Sequence, residues 1–113
     1  MASSDVRPTV STHVLDTQAG LPRPGVGVRL VRLLDDGAEV TAGHGVTDAD
    51  GRIRSLLRDE LIPGDYRLHF DLRGHGSGFF ESIMLGIHIE DAARSYHVPL
   101  LLAPYAMTTY RGS

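Results

Sequence analysis

Six histidines are spread along the 113 residues, at positions 13, 44, 69, 75, 88 and 97. Imidazole is the one side chain that exchanges a proton near neutral pH without special tuning, so each is a candidate for acid–base chemistry. Most have an ordinary reading. His44 lies between two glycines, His69 falls on the outward face of an alternating segment, His75 sits in a glycine loop, and His88 alternates with polar neighbours. Isolated histidines of this kind are by default surface or hydrogen-bonded side chains. His97 differs. On an extended strand it shares one face with Pro99 and Leu101, while Tyr96, Val98, Leu100 and Leu102 form a second, fully apolar face. A sandwich of two sheets covers one such face, so the other must meet another subunit. The residues by themselves leave two roles open for His97, a structural imidazole in an interface or a catalytic base. His13 shares its face with Leu15 on the outside of a sheet, and alone it decides nothing. Arg52 follows a glycine turn at the rim, where by default it is a solvated rim charge. Tyr110 and Ser113 by default are an edge residue and a terminus.

Other chemistries are disfavoured by what is missing. With no cysteine there is no disulfide framework, no thiolate nucleophile and no Cys-containing zinc site. No tight His-x-His or His-Glu-x-x-His spacing occurs, so no metal is expected. The 11 basic and 14 acidic residues are interspersed and leave a formal charge of -3, which is no footprint for nucleic acid or an anionic membrane. No apolar run approaches the roughly 18 residues of a membrane span, and the polar start lacks the apolar centre of a signal peptide. A soluble, cytoplasmic protein is the expectation.

The elements that must hold these residues read as short strands. A chain of this length forms one domain, and its 13 glycines and 6 prolines break it into short apolar runs. Residues 1–9 are expected to be a flexible tail, with one sandwich domain over 10–113. Ser11 to Asp16 alternates, with Thr12 and Val14 on one face and His13 and Leu15 on the other. A second strand runs from Val26 to Leu34 and returns through Asp35-Asp36-Gly37 as Ala38 to Val46. The turn Asp48-Ala49-Asp50-Gly51 presents Arg52 and Ile53 on a short fourth strand. After Pro63-Gly64-Asp65, the residues Tyr66, Leu68 and Phe70 point inward, and Arg67, His69 and Asp71 outward. Six residues, Arg73 through Gly78, are too glycine-rich for a helix; Phe79 to Ile89 then reads as a sixth strand, and Tyr96 to Ala103 and Ala106 to Arg111 as the last two. Eight short strands with little or no helix predict an all-β sandwich of two packed antiparallel sheets.

Several of these segments together resemble the 5-hydroxyisourate hydrolase family. They are Ser11-Thr12-His13-Val14-Leu15-Asp16, Pro22-x-Pro24-Gly25, Thr47-Asp48-x-Asp50-Gly51-Arg52, Tyr96-His97-Val98-Pro99-Leu100-Leu101-Leu102 and Tyr110-Arg111-Gly112-Ser113. The family shares the transthyretin-like (prealbumin-like) fold with transthyretin, a hormone carrier. The resemblance implies two four-stranded sheets, joined edge to edge in a dimer, with two dimers stacked face to face around a channel as a homotetramer. It implies His13, Arg52, His97 and the terminal Ser113 as the catalytic set, with Arg52, Tyr110 and Leu101 against a small purine-derived substrate and no cofactor. The implied reaction converts 5-hydroxyisourate to 2-oxo-4-hydroxy-4-carboxy-5-ureidoimidazoline. The rival from another class is a transthyretin-type carrier of small aromatic ligands without catalysis. The chain departs from the family's pattern in three places. The partly helical stretch before the sixth strand shrinks to 73–78, a proline is missing after Phe79-Phe80, and Ser95 replaces a frequent histidine.

Overall fold

The computed structural model describes residues 7–76 and 78–112. Two sheets face each other, and no helix occurs among the described residues. The strands are β1 (Val10–Asp16), β2 (Leu21–Pro22), β3 (Gly27–Leu33), β4 (Glu39–Val46), β5 (Arg52–Ile53), β6 (Gly64–Asp71), β7 (Ser82–Ile89), β8 (Tyr96–Ala103) and β9 (Ala106–Thr109). One sheet has the order β4-β3-β6-β7 and is antiparallel throughout. The other has the order β2-β1-β8-β9, with β5 paired to β1 beside β2. The alternation expected for β1 and β6 holds: Thr12, Val14, Tyr66, Leu68 and Phe70 are buried, while His13, Leu15, Arg67, His69 and Asp71 are only partly covered. These inward residues meet Val28, Leu30, Val98 and Leu100 in one core. Thr12 is polar and buried, and its hydroxyl is satisfied by donating to the Val98 carbonyl at 2.6 Å.

Four expectations are corrected. The pairing of β1 with β8 is parallel, so only one of the two sheets is purely antiparallel. A hairpin forces antiparallel neighbours, but these two strands are separated by the whole of the other sheet, and the long crossover permits either direction. The two-residue β2 adds an element to the eight foreseen, folded back on β1 by a turn in which the Asp16 carboxylate accepts from the amides of Gln18 and Ala19. The sixth predicted strand begins at Ser82 rather than Phe79, because its partner β6 ends at Asp71, opposite Ser82. Phe79 and Phe80 instead meet edge to face with centroids 5.0 Å apart.

The last strand stops at Thr109 rather than Arg111. Leu100 faces Thr109, and an isolated bridge joins His97 to Gly112 in the same register, so Pro99 falls opposite Tyr110. Proline has no N–H to give the ladder, and the pairing lapses there. The Pro99 carbonyl is still satisfied, by the Thr109 hydroxyl at 2.8 Å. This accounts for a proline inside an otherwise central strand.

Candidate active site

Strand register brings the histidines and arginine together. On β1, Ser11 and His13 point to the outer face, with Ser11 opposite His97 of β8 and His13 opposite Arg52 of β5. The tight turn before Arg52 sets that second pairing. Gly51 has φ 74°, and a Cβ there would lie 2.4 Å from the Val14 carbonyl oxygen, so glycine is required to bring the turn against β1. The Val14 amide donates to the Gly51 carbonyl at 2.7 Å. The Asp48 carboxylate accepts from the amides of Asp50 and Arg52, at 2.9 and 3.0 Å. The Arg52 amide is the main reason that this carboxyl is held below the usual carboxylate range.

The hollow between these strands is about 250 Å³ and is lined by Ser11, Thr12, Arg52, Ile53, Arg54 and His97. His97 is half-buried, with Nδ1 2.8 Å from Ser11 Oγ. Its proton affinity is lowered below the ordinary imidazole value of 6.5, first by burial, then by the positive charge of Arg52, then by His13, against an opposing effect of the Ser11 main chain. The imidazole is therefore mostly neutral at pH 7, the form a base needs. His13 Nε2 lies 2.8 Å from the Asp50 carbonyl oxygen, which can only accept, so Nε2 carries the proton and Nδ1 is the nitrogen left for exchange.

The remaining predicted residues stand differently. Leu101 is half-buried on the face of His97, between Leu15 and Thr108, but four residues along the strand, about 13 Å at 3.3 Å per residue. Tyr110 is 55% exposed and lines another hollow, with Leu85, Ile87 and Arg111 among its walls. Neither lines the hollow that holds His97. Ser113 lies outside the described residues. Gly112 beside it donates its amide to the His97 carbonyl at 2.7 Å, and a Cβ there would lie 2.8 Å from His97 Cδ2. Sequence reasoning missed Ser11, Arg54, Gly112 and the Asp50 carbonyl as neighbours of these groups. Their places depend on register between distant strands, for which no local pattern exists.

The other histidines are elsewhere. His75 Nδ1 accepts from Arg23 Nε at 2.9 Å, and His88 pairs with Asp65 at 2.6 Å. His44 and His69 flank Arg29 on the opposite sheet, in a shallow hollow of about 610 Å³. Among the described residues, no group of three or more histidines and carboxylates is placed to hold a metal ion.

Fold and site together define a transthyretin-type β-sandwich that carries a cluster of two imidazoles and a guanidinium on the outer face of one sheet. The chain belongs to the HIUase/Transthyretin family, whose profile matches residues 10–112. A 5-hydroxyisourate hydrolase of Salmonella dublin is 42% identical over 111 residues, covering 92% of this chain and 80% of that one. The structure of Klebsiella pneumoniae 5-hydroxyisourate hydrolase matches with a TM-score of 0.76 and 35% identity, over 93% of this chain and 99% of that one. Sea bream transthyretin in complex with thyroxine matches with a TM-score of 0.81 and 28% identity, over 91% and 93%. The backbone is thus as close to a thyroxine-bound transthyretin as to a hydrolase, and only side chains can separate the two.

Proposed function

We propose that this chain hydrolyses 5-hydroxyisourate, opening its six-membered ring to 2-oxo-4-hydroxy-4-carboxy-5-ureidoimidazoline in urate breakdown. The single observation that carries the reading is the half-buried His97, whose affinity for protons is lowered beside Arg52 and His13. The names and identities of the hydrolase relatives support the substrate. His97 takes a proton from water as the oxygen attacks the amide-like carbonyl; the C–N bond breaks, and the leaving nitrogen receives the proton. One water is added and no covalent enzyme intermediate is needed. Proton transfer by a positioned histidine is worth about a hundred- to ten-thousand-fold in rate. His13 shares the proton traffic through Nδ1. Arg52 supplies donors to the oxygen on which negative charge grows.

In the same reading Ser113 completes the catalytic set, with a hydroxyl that orients a histidine or the water, and Tyr110 and Leu101 flank the substrate. Residues 10–113 act as one domain; of the tail before it, residues 1–6 lie outside the described residues, and Thr9 accepts from the Tyr96 amide at 2.8 Å. The site faces outward from the sheet, and Leu15, Pro99 and Leu101 make its surroundings apolar. That face supports assembly as a homotetramer, a dimer of dimers around a central channel, which would close the hollow. No helix among the described residues is long and apolar enough to cross a membrane, and a cytoplasmic location accords with the reading.

The carrier reading rests on the closeness of the backbone to transthyretin. Ultraviolet absorbance of freshly made urate-oxidase product separates the two. Its decay should accelerate on adding this protein; a decay no faster than the spontaneous one, together with saturable binding of a thyroxine-like ligand, would favour the carrier.

Gly112 provides a further check. In Gly112→Ala the methyl group and the His97 ring cannot both keep their places, and a displacement of a fraction of an ångström at a reacting group slows turnover by about ten- to a hundred-fold. The melting temperature should change little, because the residue lies at the sheet's outer edge. An unchanged kcat would show that the ring tolerates the shift.

A further inference from the structure

We propose that Ser11 is a positioning residue that holds the His97 ring with Nδ1 toward β1, so that Nε2 is the nitrogen presented to water. The inference rests on the hydrolase reading and goes one step into it.

The parallel register places Ser11 and His97 side by side on one face, with Ser11 Oγ 2.8 Å from Nδ1. The opposite edge of the ring, Cγ and Cδ2, lies where a Cβ on Gly112 would be, at 3.3 and 2.8 Å. The imidazole is therefore held between a polar neighbour on one edge and bare backbone on the other. Turning it half a revolution about its Cβ–Cγ bond would exchange Nδ1 with Cδ2. The hydroxyl would then face a carbon, and the hydrogen bond would be lost. Ser11 thus selects one of two orientations that packing alone would accept equally.

Selection of the tautomer follows from the same contact. A hydroxyl can donate to Nδ1 or accept from it. In the first case Nε2 carries the hydrogen and cannot take a proton; in the second Nε2 keeps its lone pair. For Nε2 to take a proton from water the hydrogen must sit on Nδ1, and the Ser11 hydroxyl, 2.8 Å away and able to accept, is the partner that holds it there. Among the described residues, the Ser11 hydroxyl has no other hydrogen-bond partner, and Ser11 lines the hollow. Its own hydrogen is therefore free to meet the attacking water.

The test combines imidazole nitrogen NMR on the intact protein with kinetics of Ser11→Ala and Ser11→Thr. In the wild type the neutral His97 should show hydrogen on Nδ1 and a bare Nε2. Ser11→Ala should mix the tautomers and lower kcat by about ten- to a hundred-fold with little change in KM. Loss of an acceptor for Nδ1–H weakens proton binding, so the acid limb of the rate profile should move to lower pH. Ser11→Thr, which keeps the hydroxyl and suits a strand, should recover most of the rate. A wild-type spectrum with hydrogen on Nε2 would overturn the proposal. So would Ser11→Ala with an unchanged kcat and acid limb, or Ser11→Thr as slow as Ser11→Ala. If the alanine variant fails to fold, the wild-type nitrogen spectrum decides. A wild type inert toward 5-hydroxyisourate would overturn the hydrolase reading instead, and the nitrogen spectrum would still decide the tautomer that Ser11 holds.

Discussion

Replacing His97 with asparagine should abolish turnover of 5-hydroxyisourate, with kcat falling by about three to four orders of magnitude. Asparagine keeps a polar group of similar reach near Ser11 Oγ, and the main-chain bond from Gly112 to residue 97 is untouched. What disappears is the ability to accept a proton. The pH dependence of the wild type gives the same residue a second signature. His97 has its proton affinity lowered by burial, Arg52 and His13, so the base form predominates at pH 7 and is lost as pH falls through a midpoint below 6.5. The rate should therefore drop on the acid side, at lower pH than for an ordinary histidine. In His97→Asn that limb should vanish along with the rate. Steady-state kinetics across pH, with the assembly state checked by size, would measure both. Activity in the variant within about threefold of wild type would remove His97 as the base.

How much of this was legible in the sequence depends on the range of the cause. Local causes were legible. The alternation of β1 and β6 follows from the two-residue period of a strand, which assigned His13 and His69 to outer faces. The turn before Arg52 was readable because Asp48 and Gly51 carry its chemistry within four residues. Both faces of β8 being apolar was likewise visible, and it singled out His97. Long-range register was not. Whether β1 runs parallel or antiparallel to β8 is decided by the path of the chain through another sheet, and no residue between them encodes it locally. Ser11 therefore carried no signal until its partner was known. The early end of β9 was readable in principle, since Pro99 lacks a donor, but only once Tyr110 was known to face it. Gly112 stood in the terminal motif without a physical reason, and the ring edge of His97 supplies one. The identity of the chemistry came from resemblance, because an isolated pair of histidines and an arginine fits several reactions.

Changing Arg52 to lysine should slow ring opening by about a hundred- to a thousand-fold while leaving the fold and the acid limb in place. Each part of that expectation has a separate cause. The side chain is exposed, and what anchors the turn is its main-chain amide on Asp48, so stability should stay within about 0.5 kcal/mol of wild type. Lysine keeps the positive charge near His97, so the charge that helps to weaken proton binding there is preserved, and the midpoint of the acid limb should move little. What lysine cannot reproduce is the planar fork. A guanidinium offers two parallel donors to neighbouring oxygens, such as those of a cyclic urea and an attacked carbonyl, whereas an ammonium is a compact point charge on a flexible stem. The loss should fall on kcat more than on KM if the fork binds the charge developing in the transition state, rather than the substrate at rest. Nearby Arg54 lines the same hollow and supplies a second positive charge, so charge alone is not scarce there. A wild-type rate for Arg52→Lys would show that the site needs only a cation at this position, and the role of Arg52 would shrink to electrostatic attraction of the substrate.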